Sequence, residues 1–529
     1  MRAITGLRQK RGVGMDGDVE SANNLNLHFN RFDCPASPVS TASSSHHLLP
    51  SPPSPASSDC LTLSLSADDI KKELCRLHPG KAAGPDGVSP RALRCCASQL
   101  SGVLQRIFNM SLEMQRVPSL WKTSCLVPVP KKINPSTPSD YRPVALTSHV
   151  MKTLERLVLK HLRLLVEPWL DPLQFAYQPR IGVEDALIYL LDRAYSHLDI
   201  AGSTVRVMFF DFSSAFNTIR PSLLGNKLTE MQVDAPLVGW ITDYLTSRPQ
   251  HVRLMSCRSD NILSSTGAPQ GTVLSPFLFT LYTSDFRYKS QSCHLQKFSD
   301  DSAIVGCIRD GQEVEYRSVV DSFVEWCELN NLQLNITKTK ELIMDFRKQA
   351  PPPTPVTIRG ADVEIVEDYR YLGVHLDCKL DWTKNTNAIF KKGQSRLFLL
   401  RQLRSFNVGR KLLTMFYHSV LESVAFFAAV CWGSGVKIAD ANRLNKLIRR
   451  AGSVLGVRLE NLEEVSERRM LKKLLSIMDN PSHPMHAHMM DHRSTRSKRL
   501  IAPKCRTDRH RKSFVPVAIG LFNSSSRCR

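Results

Sequence analysis

The residues Thr204 to Phe210 read Thr-Val-Arg-Val-Met-Phe-Phe and run directly into Asp211. β-Branched and aromatic side chains at that density specify a buried strand. The strand therefore ends on a carboxylate. Farther along, His294–Phe298 and Ser302–Val305 are two short apolar runs that meet at Ser299-Asp300-Asp301-Ser302, the pattern of a hairpin with acidic residues at its turn. Paired side by side in one sheet, these elements bring Asp211, Asp300 and Asp301 to a single edge. Taken singly, a strand-end Asp and an Asp-Asp hairpin tip are ordinary turn residues. Together they suit phosphoryl transfer, in which two divalent cations about 3.5–4 Å apart need oxygen ligands from converging carboxylates. Without a cation the three would repel and raise one another's pKa.

With 70 Lys+Arg against 49 Asp+Glu, the net charge of +21 is the footprint of a partner with a phosphate backbone. The 14 cysteines are scattered with no C-x-x-C pair, which points to a reducing compartment without structural zinc. The basic N-terminus lacks an apolar core, and the most apolar late stretch, Ser423 to Trp432, is short for a bilayer. The expectation is no secretion signal, no membrane partner, and a location in nucleus and cytoplasm.

Cys34 to Ser58 is Ser/Pro/Ala/Thr-rich and reads as a linker. A helix with Asp68 as N-cap and Gly80 as its stop follows, then the turn Gly84-Pro85-Asp86-Gly87. Leu126–Pro130 and Tyr141–Leu146 read as hairpin partners, with Lys131 and Lys132 near the turn. Helical spacing spans Ser148–Val166, Val183–Leu198 after Gly182, Val273–Tyr282 and Val319–Leu334. Glu341–Phe346 and Tyr371–Val374 read as strands separated by the Pro-rich turn Pro351–Pro355, and helices dominate from Ala388.

Phe209-Phe210-Asp211-Phe212-Ser213-Ser214-Ala215-Phe216 and Phe298-Ser299-Asp300-Asp301 resemble motifs A and C of reverse transcriptases. In the same order, Gly267-Ala268-Pro269-Gln270-Gly271 resembles motif B, Leu334-Asn335-Ile336-Thr337-Lys338-Thr339-Lys340 motif D, and Tyr371-Leu372-Gly373-Val374 motif E. Lys131-Lys132 and Asp140-Tyr141-Arg142-Pro143 resemble the fingers motifs, and Gly80 to Gly87 resembles the N-terminal extension of non-LTR (LINE-type) retrotransposon polymerases. The resemblance runs from Asp68 to the end of the chain.

It implies an RNA-directed DNA polymerase that adds dNMP to a primer 3′-OH, with template RNA, primer DNA and dNTPs as partners and two Mg²⁺ or Mn²⁺ ions as cofactor. By the same resemblance Asp211 and Asp300 would bind both metals, Asp301 would assist, and the Phe212 carbonyl would add a ligand. Phe216 matches the position that blocks a ribose 2′-OH, although a plain core Phe is the alternative. Arg142 and either Lys131 or Lys132 would meet the triphosphate. Gln270 and Gly271 would pack under base and sugar, the glycine because a side chain would strike nucleotide or template. Lys338 would protonate pyrophosphate, unless it is a surface lysine.

The implied fold is α+β, a right hand. Its parts are an N-terminal tail with linker (1–66), N-terminal extension and fingers (67–200), palm with a small antiparallel sheet (201–376), helical thumb (377–480) and basic C-terminal tail (481–529). His483, His486, His488 and His492 read as a solvated loop rather than a metal site. Neither an endonuclease ahead of the polymerase region nor an RNase H-like acidic set after it is found, so the expectation is a borrowed nick, or a truncated or domesticated copy. The rival readings are a catalytically silent RNA-binding descendant of a retroelement and an RNA-dependent RNA polymerase, which Phe216 disfavours.

Overall fold

The computed structural model describes residues 18–33, 63–348 and 352–525, so the expected linker Cys34–Ser58 lies outside the described residues. A five-stranded sheet holds the middle of the chain. Its order is Glu364–Val366, Lys340–Asp345, Ser203–Phe210, Asp301–Arg309 and Cys293–Phe298. All its pairings are antiparallel except that of Glu364–Val366 with Lys340–Asp345, so the expected antiparallel sheet is a mixed one.

Every residue of the central strand is buried, which explains why its sequence shows no polar alternation. Val205, Val207 and Phe209 face a core shared with the helix Val183–Leu198 and the C-terminal helices. Met208 and Phe210 face another, built with the helices His149–Val166 and Val314–Leu329. Arg206 is buried there in an ion pair with Glu341 on the neighbouring strand, which accepts from its Nε and Nη2 at 2.8 Å each, while Glu313 accepts from its Nη1 at 2.5 Å.

A second sheet runs in the order Tyr141–Leu146, Ser124–Pro130, Arg248–Leu254 and Cys257–Arg258, with Ile262–Ser264 also on Arg248–Leu254. The expected hairpin is present, with Pro130 opposite Tyr141.

Several expectations are corrected. The first helix after the linker is Ala67–Cys75, capped by Ser66 rather than Asp68, because the Ser66 hydroxyl accepts from Asp69 N at 3.2 Å. It ends before Gly80. Tyr371–Val374 is no single strand: Asp368–Tyr371 and Val374–Asp377 pair about a Leu372-Gly373 turn in which both residues have positive φ. Both presumed tails contain folded structure. Val19–Phe29 is a helix whose Ala22, Leu25 and Phe29 pack on the second sheet against Leu126, Tyr141 and Val252. Near the other end, Phe514–Ser524 is a helix that buries Phe514, Val515, Ala518 and Ile519 in the main core.

His483 is buried against Asp185, with Nε2 3.1 Å from Oδ1, so the histidine segment is not simply a solvated loop. The apolar stretch thought too short for a bilayer belongs to a longer helical run, Arg410–Gly435. That run is long and apolar enough to cross a membrane by length and composition, and 50% of its most apolar window is buried inside this chain.

Candidate active site

The register of the central sheet brings the acidic residues together. Phe210 pairs with Ser302, so the next residue, Asp211, comes level with Asp301, while Asp301 pairs with Phe298 across the turn that holds Asp300. Ser299 takes φ +60 to make that turn. A loop from 171 to 177 grips it: Ser299 N donates to Gln174 Oε1 at 3.0 Å, and Ser299 Oγ lies 2.9 Å from the Tyr177 hydroxyl. On the other side Asp211 is fixed by the Leu334–Thr339 turn, its carbonyl accepting from Asn335 N at 2.8 Å.

Asp211 and Asp300 open onto a cleft of about 390 Å³ whose walls include Lys131, Arg142, Phe212, Phe216, Gln270 and Lys338. Eight of the eleven residues singled out from the sequence thus share one cavity. Lys132, Gly271 and Asp301 do not line it. Of the two lysines, Lys131 stands on the wall, whereas Lys132 is tied to Asp140 at 2.9 Å. Asp140 is correspondingly held well below the usual carboxylate range, first by Lys132 and then by backbone donors.

Gly271 has φ +113, and a Cβ there would lie 2.8 Å from the carbonyl oxygen of Ala145. A neighbouring strand of its own chain therefore requires the glycine, independently of any nucleotide or template. Gln270 is positioned by the same approach, its carbonyl accepting from Ala145 N at 2.7 Å. Glu155 braces the loop from behind, Oε2 accepting from Leu274 N at 2.9 Å. Burial pushes this carboxyl up to about 7 despite those amide bonds. Phe216 stacks on Phe279 at 4.8 Å between ring centroids and also lines the cleft.

Charge in and beside the cleft is unbalanced in two places. Desolvation by the surrounding protein, then repulsion from Asp300 and Asp211, pushes Asp301 up to about 6. Asp300 is raised as well, first by burial, with Asp211 adding to it. Asp211 Oδ2 is itself buried without a hydrogen-bond partner, and the Lys338 ammonium stands 3.6 Å from it. Facing these acids, Lys131 is pushed down by burial and then by Lys338, Arg142 and Arg31.

Sequence reasoning missed His28, Phe29 and Arg31, which reach the same cleft from the N-terminal helix. The signal was available in Leu25, Phe29 and the Asp18 cap, but a short helix beside a low-complexity stretch is easily read as tail.

Residues 129–376, which span the hairpin lysines, the aspartates and the Gly373 turn, match the family described as reverse transcriptase (RNA-dependent DNA polymerase). The chain carries a reverse transcriptase domain of the LINE type. It is 25% identical over 409 residues to the RNA-directed DNA polymerase from mobile element jockey of Drosophila melanogaster, covering 73% of this chain and 43% of that relative. The probable RNA-directed DNA polymerase from transposon BS of the same organism is 24% identical over 446 residues, covering 81% of this chain and 48% of the relative. The chain thus spans less than half the length of these curated relatives. Residues 382–423, beyond the reverse transcriptase domain, match a family described as alkylated DNA repair protein alkB homolog 8, N-terminal. Among solved structures, telomerase from Candida tropicalis with a TWJ fragment of telomeric RNA has a TM-score of 0.37 and 12% identity, over 71% of this chain and 66% of that chain.

Proteins of the reverse transcriptase family generally use divalent metal ions. Among the described residues no three His, Cys, Asp or Glu side chains are drawn close enough to grip an ion by themselves. The donor set of the reverse transcriptase domain nonetheless fits a hard cation. Its acids are level in the sheet, two are raised by desolvation and mutual repulsion, and one has a buried oxygen lacking a hydrogen-bond partner.

Proposed function

We propose that this chain is an RNA-directed DNA polymerase that extends a primer 3′-OH with dNMP on an RNA template. The observation that carries the reading is the register that levels Asp211 with Asp301 beside Asp300, at the mouth of a cation-lined cleft inside a reverse transcriptase domain. We read the chain as a right hand. Residues 67–200 form the N-terminal extension and fingers, 201–376 the palm, 377–480 the thumb, and 481–529 a basic C-terminal segment.

In this reading Asp211 and Asp300 hold divalent ions with help from Asp301 and the Phe212 carbonyl. Bound there, the ions supply positive charge where phosphoryl transfer builds up negative charge. Lys131 and Arg142 hold the triphosphate, the lysine as a point charge and the arginine as a fork. Phe216, backed by Phe279, presents a flat apolar wall where a ribose 2′-OH would need a polar partner, which favours dNTPs. Lys338, 3.6 Å from Asp211 and largely exposed, is placed to give a proton to departing pyrophosphate.

The test is primer extension on poly(rA)–oligo(dT) with Mg²⁺ or Mn²⁺, comparing the unmodified chain with Asp300→Ala at the same salt. Extension by the unmodified chain alone is the expected result. Equal silence from both, with template RNA still bound, would sink the polymerase reading and leave an RNA-binding protein.

A further inference from the structure

Arg31 arrives in the cleft on an element outside the matched reverse transcriptase domain. The helix Val19–Phe29 is pinned on both sides of it. Asp18 caps the helix by accepting from Ser21 N at 2.7 Å, and Asn26 Nδ2 donates to Ser259 Oγ at 3.1 Å and to the Asp260 carbonyl at 3.0 Å. Past the helix, Asp33 Oδ1 accepts from Ser265 N at 2.9 Å. Arg31 is therefore held between two anchored points rather than trailing.

Its guanidinium is aimed as well as anchored. Nη1 donates to the His28 carbonyl at 2.7 Å and Nη2 to Ser214 Oγ at 3.1 Å, while the group lies 4.3 Å from the Phe32 ring centroid. Ser214 takes φ +61 in the loop between Asp211 and Phe216, the two residues that would address phosphate and sugar. Among the described residues Arg31 makes no ion pair with a carboxylate. Lys131 and Arg142 stand on the same walls, and Lys131 is depressed partly by Arg31 itself. Lys131 feels Asp140 and Arg142 feels Asp300, yet the repulsion among the three cations falls further when an anion with several charges enters.

We infer that Arg31 is a third cationic contact for the triphosphate of the incoming nucleotide, delivered by the N-terminal helix to the loop that carries Asp211. The inference rests on the polymerase reading and extends it to a residue beyond the matched domain. A guanidinium bonded to Ser214 shares the cleft with Lys131 and Arg142, so a phosphate chain lying over Asp211 meets three cations. Arg31 also borders a second cavity of about 500 Å³ with Arg220 and Arg359. Template RNA is therefore the competing occupant.

The experiment uses the full chain with RNA template and DNA primer, and compares Arg31→Ala and Arg31→Lys with the unmodified protein. Two quantities are read: the KM for dNTP in extension, and the dNTP affinity of the protein–template–primer complex in Ca²⁺, which is measured without turnover. Loss of a charge-assisted contact predicts a rise of roughly tenfold or more in the KM and in the dNTP dissociation constant for Arg31→Ala. Arg31→Lys should recover part of it, with template–primer affinity and melting temperature unchanged. Weaker template–primer binding with an unaltered dNTP constant would overturn the inference in favour of RNA. If the unmodified chain binds dNTP but does not extend, and Arg31→Ala weakens that binding, the polymerase reading falls while the Arg31 contact stands. Absence of any dNTP binding by the unmodified complex refutes both.

Discussion

Asp301 illustrates how a carboxylate crowded by two others burdens the fold. Its pKa is raised to about 6 from the usual 3.8, first by desolvation and then by Asp300 and Asp211. A carboxyl whose folded pKa exceeds its unfolded value favours the folded state only while protonated. Its stabilising contribution is present below about pH 4 and is lost as pH rises through 6. Above that, the ionised group destabilises the chain. The residue keeps an exposed edge, so solvent screening cuts the effect to about 1 kcal/mol. Asp301→Asn should therefore stabilise the metal-free chain at pH 7 by about that amount and leave it unchanged near pH 3.5. Denaturant midpoints at the two pH values check this. Equal midpoints for both proteins at pH 7 would mean that the three acids do not repel in solution.

At the scale of elements, Arg206 and Glu341 join two adjacent strands through a pair that is 1% and 0% exposed at the side chains. Tyr316 adds a hydroxyl to Glu341 Oε1 at 2.6 Å, and the Thr354 carbonyl accepts from Arg206 Nη2 at 2.7 Å. Removing only the arginine strands a buried carboxylate, a loss of about 3–5 kcal/mol, whereas removing both charges costs far less. Arg206→Met is expected to melt well below the parent, and Arg206→Met with Glu341→Leu to recover most of the difference in a calorimetric scan. No recovery in the double variant would show that packing, not the stranded charge, governs this site.

The same strands show what a sequence reveals. The helix Val183–Leu198 and the strand ending at Phe210 were legible to within a residue, because Gly182 and a run of β-branched and aromatic residues are local signals. The acidic cluster was legible for the same reason. Arg206 reads as an exception inside an apolar run until Glu341, distant in sequence, supplies its partner. The Leu372-Gly373 turn was hidden because apolar residues flank it on both sides, imitating one strand. Gly271 was recognised as necessary, but the close approach of the Ala145 carbonyl, which belongs to another strand, was not visible locally.

Across the whole molecule, the cleft draws on residues from His28 to Lys338, so its assembly depends on the sheets and the N-terminal helix docking together. The charge of +21 lies largely outside the cleft. The long helix Thr383–Ser405 exposes Lys391, Lys392, Arg401 and Arg404, and among the described residues none of these forms an ion pair with a carboxylate. Exposed cations without acids of their own gain little within the fold but release counterions when they meet a phosphate backbone. Template–primer affinity should therefore fall steeply with salt, and replacing Lys391, Lys392, Arg401 and Arg404 with Ala should flatten the slope of log K against log salt. Each lost phosphate contact removes about 0.9 from that slope. The KM for dNTP should hold steady in the same protein, because the proposed nucleotide site has its own cations. An unchanged slope would place the nucleic-acid path on another face of the molecule, and a raised dNTP KM would mean that the helix acts on the cleft rather than on the duplex.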